Sequence, residues 1–215
     1  LMYEVLSRFE GGKYSRSPAE FFRFTEEVGI AHDLDLVCCR RAIFTLTSTE
    51  KQARLSVNLA AQSLADPGFV KKLFKVLDSA KHVADRLYFD IKESAITSDT
   101  VLIKQVIQEL RRRQHKVCID DFAAAASALH YLRSLEIDFV KIDSKYLRES
   151  LETKNGGFFL KAIAGLCGDL NIVVIASMVE DRATAVQIQQ CGIRYGQGYY
   201  WGRPAPEIET HSPAA

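Results

Sequence analysis

KVCIDDFAAAASALHYLRSLEIDFVKID, residues 116–143, holds a complete strand–helix–strand unit. Residues 116–121 put small and β-branched apolar residues in a short run and predict a strand. Residues 124–135 space their apolar positions as a helix does, and residues 138–142 predict a second strand. Two strands joined through a helix run parallel, because an antiparallel pair needs only a tight turn. Phe139 and Val140 are apolar in succession, as a strand covered on both faces requires.

The same alternation extends outward in both directions. Strands are predicted at residues 2–8, 55–59, 86–91, 172–177 and 192–197, and helices at 18–28, 33–46, 67–80, 99–113, 157–170 and 181–190. Ser17-Pro18-Ala19-Glu20 is a capping box with proline at the first helical position, and Asp66-Pro67 repeats the device. Gly29 and Gly192 follow helical runs as stop signals. Strict alternation makes the chain an α/β protein with a parallel sheet, and it fits a (β/α)8 barrel short of one strand better than an open doubly wound sheet. No G-x-G-x-x-G follows a strand, so a dinucleotide fold has no support. No Pro/Gly-rich linker interrupts residues 1–206, which read as one domain; residues 207–215 read as a polar tail without fixed structure.

The bulk properties narrow the partners. A net charge of +1 offers no long-range field for a nucleic-acid polymer or an anionic membrane. The basic run Arg111-Arg112-Arg113 falls at a predicted helix C-terminus, where the helix dipole favours cations. Five cysteines, odd in number and without a C-x-x-C pair, predict free thiols in a reducing cytoplasm. No window approaches a membrane span; the best, residues 157–167, is interrupted by Lys161. The five histidines fall in helical or tail segments and are expected on the surface, with no zinc site.

In a barrel of this kind chemistry sits where strands end. Those positions carry Asn58, Asp90, Asp120-Asp121, Lys141, Ser177 and Gln197, with Glu4 inside the first strand. Buried charge is costly unless paired or bound to metal, and oxygen ligands of this type suit Mg2+, Mn2+ or Ca2+. An Asp-Asp pair can bridge two such ions, and two ions beside a lysine activate water against a phosphodiester. Taken singly, Asn58 also fits a turn or cap, Lys141 a solvated strand end, and Asp143 the cap of the next helix.

The ordered segments resemble one family. Glu4-Val5-Leu6-Ser7-Arg8 is similar to the E-A-L-x-R signature of EAL domains, and Ser56-Val57-Asn58-Leu59 to their V-N-L-S segment. Phe89-Asp90-Ile91-Lys92-Glu93-Ser94 resembles L-E-I-T-E-S, Ile119-Asp120-Asp121-Phe122 resembles D-D-F-G, and Asp138 to Asp143 resembles D-x-x-K-I-D. Ala176-Ser177-Met178-Val179-Glu180 falls on A-E-G-V-E, and Gln197-Gly198-Tyr199 with Arg203-Pro204 on the closing Q-G-Y and R-P. The resemblance implies a modified TIM barrel of EAL type whose opening strand, with its Y-Q-P-I segment, is missing from this chain.

EAL phosphodiesterases open cyclic di-GMP to the linear dinucleotide with two Mg2+ or Mn2+ ions. The resemblance places Glu4, Asn58, Asp90 and Asp120 on the first metal, and Asp120 with Asp121 on the second. Asp121 and Lys141 would serve the chemistry, Lys141 by orienting the attacking water. Leu6, Arg8, Asp121, Glu180, Gln197, Tyr199 and Pro204 would meet the nucleotide, Arg8 through a phosphate.

Four departures stand against that pattern. Val5 for alanine is a small change. Asp90 for glutamate shortens a metal ligand by about 1.5 Å, more than metal–oxygen bonds tolerate without rearrangement. Ser177 replaces a carboxylate, with Met178 in place of the neighbouring glycine. Ala123-Ala124-Ala125 replaces a glycine-bearing loop, and alanine at positive φ costs on the order of 1 kcal/mol, so an early helix start is expected there. Three of these changes fall on the metal-and-base positions, and the ligand positions are mostly kept. The expectation is a degenerate EAL domain that binds cyclic di-GMP as a cytoplasmic receptor, with a protein partner, an upstream domain or a second copy to receive the signal. Two alternatives stay open: a metal-dependent phosphodiesterase giving linear pGpG, and an interaction module with no nucleotide.

Overall fold

Each predicted apolar run forms a strand, and the strands run parallel wherever their pairing is seen. The computed structural model describes residues 2–8, 18–49, 53–123 and 128–208, and the chain divides into two units after Val117. Ser17, predicted as a cap, Ala124, Ala125, His211 and residues 209–215 lie outside the described residues.

In the first unit β1 (Met2–Glu4), β2 (Arg54–Leu59) and β3 (Leu87–Lys92) pair parallel in that order. Helices α1 (Pro18–Glu27) and α2 (Ala31–Ser48) lead from β1 to β2. Helices α3 (Ala61–Ala65) and α4 (Pro67–Asp78) and a 3-10 turn (Lys81–Arg86) lead on to β3. Helices α5 (Glu93–Ser98) and α6 (Thr100–Arg112) follow. The core is built on period: Phe69, Leu73 and Leu77 of α4 and Ile103, Val106, Ile107 and Leu110 of α6 are buried. Full burial of each such side chain contributes about 1.5–3 kcal/mol before the entropy of ordering is set against it. Asp66 caps α4, accepting from Gly68 N at 2.8 Å with Pro67 behind it, and Asp99 caps α6 through Leu102 N. The end of α6 is tied as well as solvated: Arg113 lies over the Phe74 ring and pairs with Asp78 and Glu109.

In the second unit β4 (Lys116–Phe122), β5 (Phe139–Ile142), β6 (Val173–Ala176) and β7 (Tyr195–Gly196) pair parallel in sequence order. The first two residues of β4 count with the first unit. Helix α7 (Ala128–Ser134) follows β4, α8 (Ser144–Glu152) and α9 (Lys154–Asp169) follow β5, and α10 (Arg182–Gln190) follows β6. Asp143 caps α8 through Tyr146 N at 2.8 Å, so its carboxylate serves the helix. Thr153 caps α9, which starts three residues before the predicted position 157. Gly29 and Gly192 take positive φ at helix ends, as stop signals should.

Several expectations shift. The strand predicted over residues 2–8 ends at Glu4: Val5 N still bonds Ser56 O at 2.9 Å, and Leu6 then leaves the ladder exposed. The strand predicted over 192–197 shortens to Tyr195–Gly196. Helices α3 and α5 were not predicted, being too short to show a period. The histidines were expected on the surface, but His115 is 2% exposed. It sits at the entry to β4, with Nδ1 2.9 Å from Leu87 O and its ring edge-to-face on Phe89, which satisfies one nitrogen and packs the ring. Among the described residues the cysteines are free thiols, and no helix is long and apolar enough to cross a membrane.

Burial holds the His115 imidazole below its ordinary value, with the Leu87 carbonyl pulling the other way. The unfolded chain therefore takes this proton first. The stability it carries is intact above about pH 6.5 and drains away as the pH falls further. His115→Gln is expected to melt lower than wild type at pH 7.5, by on the order of 1 kcal/mol. Thermal melts should show that gap narrowing toward pH 5; a constant gap would reject this account.

Candidate ligand and metal site

Parallel pairing puts the first unit's polar residues on one face. Glu4 lies opposite Ser56 and Asn58 opposite Asp90. Side chains alternate along a strand, so Glu4, Ser56, Asn58 and Asp90 share a side while Leu55, Val57 and Leu59 take the other. Asn58 Nδ2 donates to Glu4 Oε1 at 2.8 Å. That bond fixes the amide so that its Oδ1 remains the acceptor, the atom a hard cation takes. Asp90 is 1% exposed. Leu6 and Arg8, just beyond β1, are exposed; Arg8 Nη1 donates to Ser7 O.

In the second unit a β-bulge shapes the site. Ile119 pairs with Val140 and Phe122 with Ile142, so Asp120 and Asp121 together face the single residue Lys141. Asp121 takes φ 54°, a conformation aspartate tolerates better than most residues. Lys141 is 1% exposed while Asp121 is exposed. The extra residue in β4 thus turns one carboxylate outward beside a buried ammonium.

Strand β6 ends in a second irregularity. Ser177 keeps its Oγ buried with no hydrogen-bond partner among the described residues. Met178 takes φ 58° with its side chain exposed. Val179 then turns back into the core, where its N donates to Gln197 O and its O accepts from Tyr200 N. Gly198 passes so close that a Cβ there would collide with the Val179 backbone. Gln197 is half-buried and Glu180 exposed. The Tyr199 ring lies under the Arg203 guanidinium at 4.5 Å, and Pro204 is exposed beyond it.

The donors are all oxygen, so Glu4, Asn58 and Asp90 in one unit, and Asp120 with Asp121 in the other, suit Mg2+ or Mn2+ in kind. Among the described residues no three His, Cys, Asp or Glu side chains gather closely enough to hold an ion. Sequence reasoning missed Asp35. It is 6% exposed on α2, and Ala60 N donates to its Oδ2 at 2.8 Å. Its signal was readable: Asp35, Cys39, Ala42 and Leu46 form one buried stripe, with a carboxylate where an apolar residue belongs.

Residues 1–204 match the EAL domain model. The chain is 26% identical over 193 residues to the cyclic di-GMP phosphodiesterase PdeB of Shewanella oneidensis, spanning 88% of this chain and 22% of that protein. A crystal structure of the FimX EAL domain superposes with a TM-score of 0.90 at 27% identity, over 97% of this chain and 86% of the other. The FimX EAL domain from Pseudomonas aeruginosa bound to c-di-GMP gives 0.80 at 29% identity, over 87% and 76%. The fold is accordingly the α/β, modified TIM barrel of EAL domains.

Met178 takes a backbone conformation that favours glycine. A side chain in the left-handed region costs roughly 1 kcal/mol relative to glycine. Met178→Gly is expected to raise the melting temperature by about 2–4 °C; calorimetry showing no gain, or a loss, would mean the thioether makes compensating contacts.

Proposed function

The chain belongs to the EAL domain family, and we propose that it binds cyclic di-GMP as a signalling receptor with negligible phosphodiesterase turnover. Ser177 carries this reading. At the end of β6 it presents a neutral, buried hydroxyl where the family pattern has a carboxylate, and a hydroxyl brings no charge to a second cation and accepts no proton from water at neutral pH. Asp90 lies within reach of Asn58 but is a methylene short of the pattern's glutamate.

The ligand positions are kept. Arg8 offers a planar donor fork to a phosphate, and the exposed carboxylates of Asp121 and Glu180, with the Gln197 amide, offer acceptors to guanine N–H groups. Leu6, Tyr199 and Pro204 supply apolar and aromatic surface for the bases. Where ions are held, Glu4, Asn58, Asp90, Asp120 and Asp121 hold them, and the ions supply charge against the phosphodiester. Lys141, opposite the Asp pair in the strand register, would orient water. With Ser177 neutral, this position supplies no carboxylate to take up that water's proton.

The chain spans 22% of the length of PdeB. The signal therefore passes, in this proposal, to a neighbouring domain, a protein partner or a second copy in the cytoplasm. A second reading, a slow metal-dependent phosphodiesterase, draws on the Glu4–Asn58 bond and the Asp pair facing Lys141.

Titration calorimetry with cyclic di-GMP should show one-site binding, weakened about tenfold or more in Arg8→Ala. Chromatography after overnight incubation with Mn2+ should show intact ligand. Absence of heat at about 50 μM ligand would end the receptor reading. Linear dinucleotide that disappears in Lys141→Ala would replace it with the enzymatic one.

A further inference from the structure

Asp35 belongs to no part of the site just described, yet it reaches to its edge. It sits on the buried stripe of α2, and its Oδ2 accepts from the Ala60 amide at 2.8 Å. Ala60 lies two residues beyond Asn58, and its side chain gives α3 no cap. The turn after β2 thus lacks its own local acceptor and takes one from α2. Buried Ser63, within α3, faces this carboxylate too. The connection then runs through Asn58 to Glu4 by the 2.8 Å amide bond. A carboxylate at this depth is costly, and a structural site could have been filled by an apolar residue.

We propose that Asp35 is the positioning residue of the nucleotide site: from α2 it fixes the β2–α3 turn and so the placement of Asn58, and it makes ligand affinity depend on pH. The pH dependence rests on the cyclic di-GMP reading above; the hold on the turn does not.

The sign follows from the surroundings. Burial pushes the Asp35 carboxyl up to about 6 against the pull of the Ala60 amide and Ser63, with Glu26 of α1 raising it and His32 of α2 lowering it. Cys38 and Cys39, on the same helix, are thiols held protonated by burial. Above pH 6 the ionised group makes a charge-assisted bond to Ala60; protonation leaves a neutral bond about half as strong. Affinity therefore falls as the pH drops through about 6. Stability moves the other way, because the folded chain takes the proton before the unfolded one does.

The test compares wild type, Asp35→Asn, Asp35→Ala and His32→Gln between pH 7.5 and 5. Calorimetry with cyclic di-GMP should show wild-type affinity falling about fivefold across that range. His32→Gln should keep the fall. Asp35→Asn, which retains a neutral acceptor but no proton, should bind at every pH about as wild type does at pH 5 and show no fall. Asp35→Ala should bind weakly throughout. Over the same interval wild type should gain thermal stability relative to Asp35→Asn. Hydrogen exchange of the Ala60–Leu64 amides, read in the free protein, should speed at least about tenfold in Asp35→Ala and by a smaller factor in Asp35→Asn. The proposal is overturned by a shared pH profile for wild type and Asp35→Asn, or by unchanged exchange in Asp35→Ala. Should wild type bind no ligand at any pH, the nucleotide reading fails, and exchange alone decides whether Asp35 holds the turn.

Discussion

The hydrogen bond from Asn58 to Glu4 joins side chains 54 residues apart, and parallel register is what brings them together. Had β2 slipped by one residue against β1, Leu59 or Val57 would face Glu4's side and Asn58 would be driven among the helices. Register is therefore the constraint under everything polar in the first unit. It is enforced from the other face, where Leu55, Val57 and Leu59 are all but fully buried. The apolar side of the strand thus fixes the placement of the chemical side.

In the second unit the same end is achieved by breaking regularity. The bulge after Ile119 sets two carboxylates against one lysine. The left-handed turn at Met178 lets Val179 dive into the core and meet the chain at Gln197 and Tyr200. Asp121 bears its positive φ at little cost, whereas Met178 does not. A turn that favours glycine is held here with methionine at its corner. The clamp from Val179 to Gln197 explains how: two backbone bonds and the close passage of Gly198 hold the turn whatever residue occupies its corner.

Much of this was legible in the residues. Short apolar runs located the strands to within a few positions, because strands buried on both faces must be short and apolar. Asp66-Pro67 and Asp143 read as caps, and caps they are. What escaped depended on distance in sequence or on backbone detail. The bulge leaves no local mark in Ile119-Asp120-Asp121-Phe122, since it is defined by the partner strand. His115 looked like a surface residue because its partners, Leu87 and Phe89, lie on another strand. Asp35 was visible as a carboxylate in an apolar stripe, but its partner Ala60 could be found only in three dimensions.

One minor contact has a practical consequence. Cys39, Cys118, Cys167 and Cys191 are buried, while Cys38 is only half so, its Sγ 3.3 Å from Ser7 Oγ in the segment that carries Arg8. Burial also pushes the Cys38 thiol up, so it reacts slowly at neutral pH. A mild alkylating reagent thus has one preferred target among these thiols, and its rate of attack tracks how firmly Ser7 and Arg8 are seated. The chain carries its own chemical clock beside the arginine, with no engineered label.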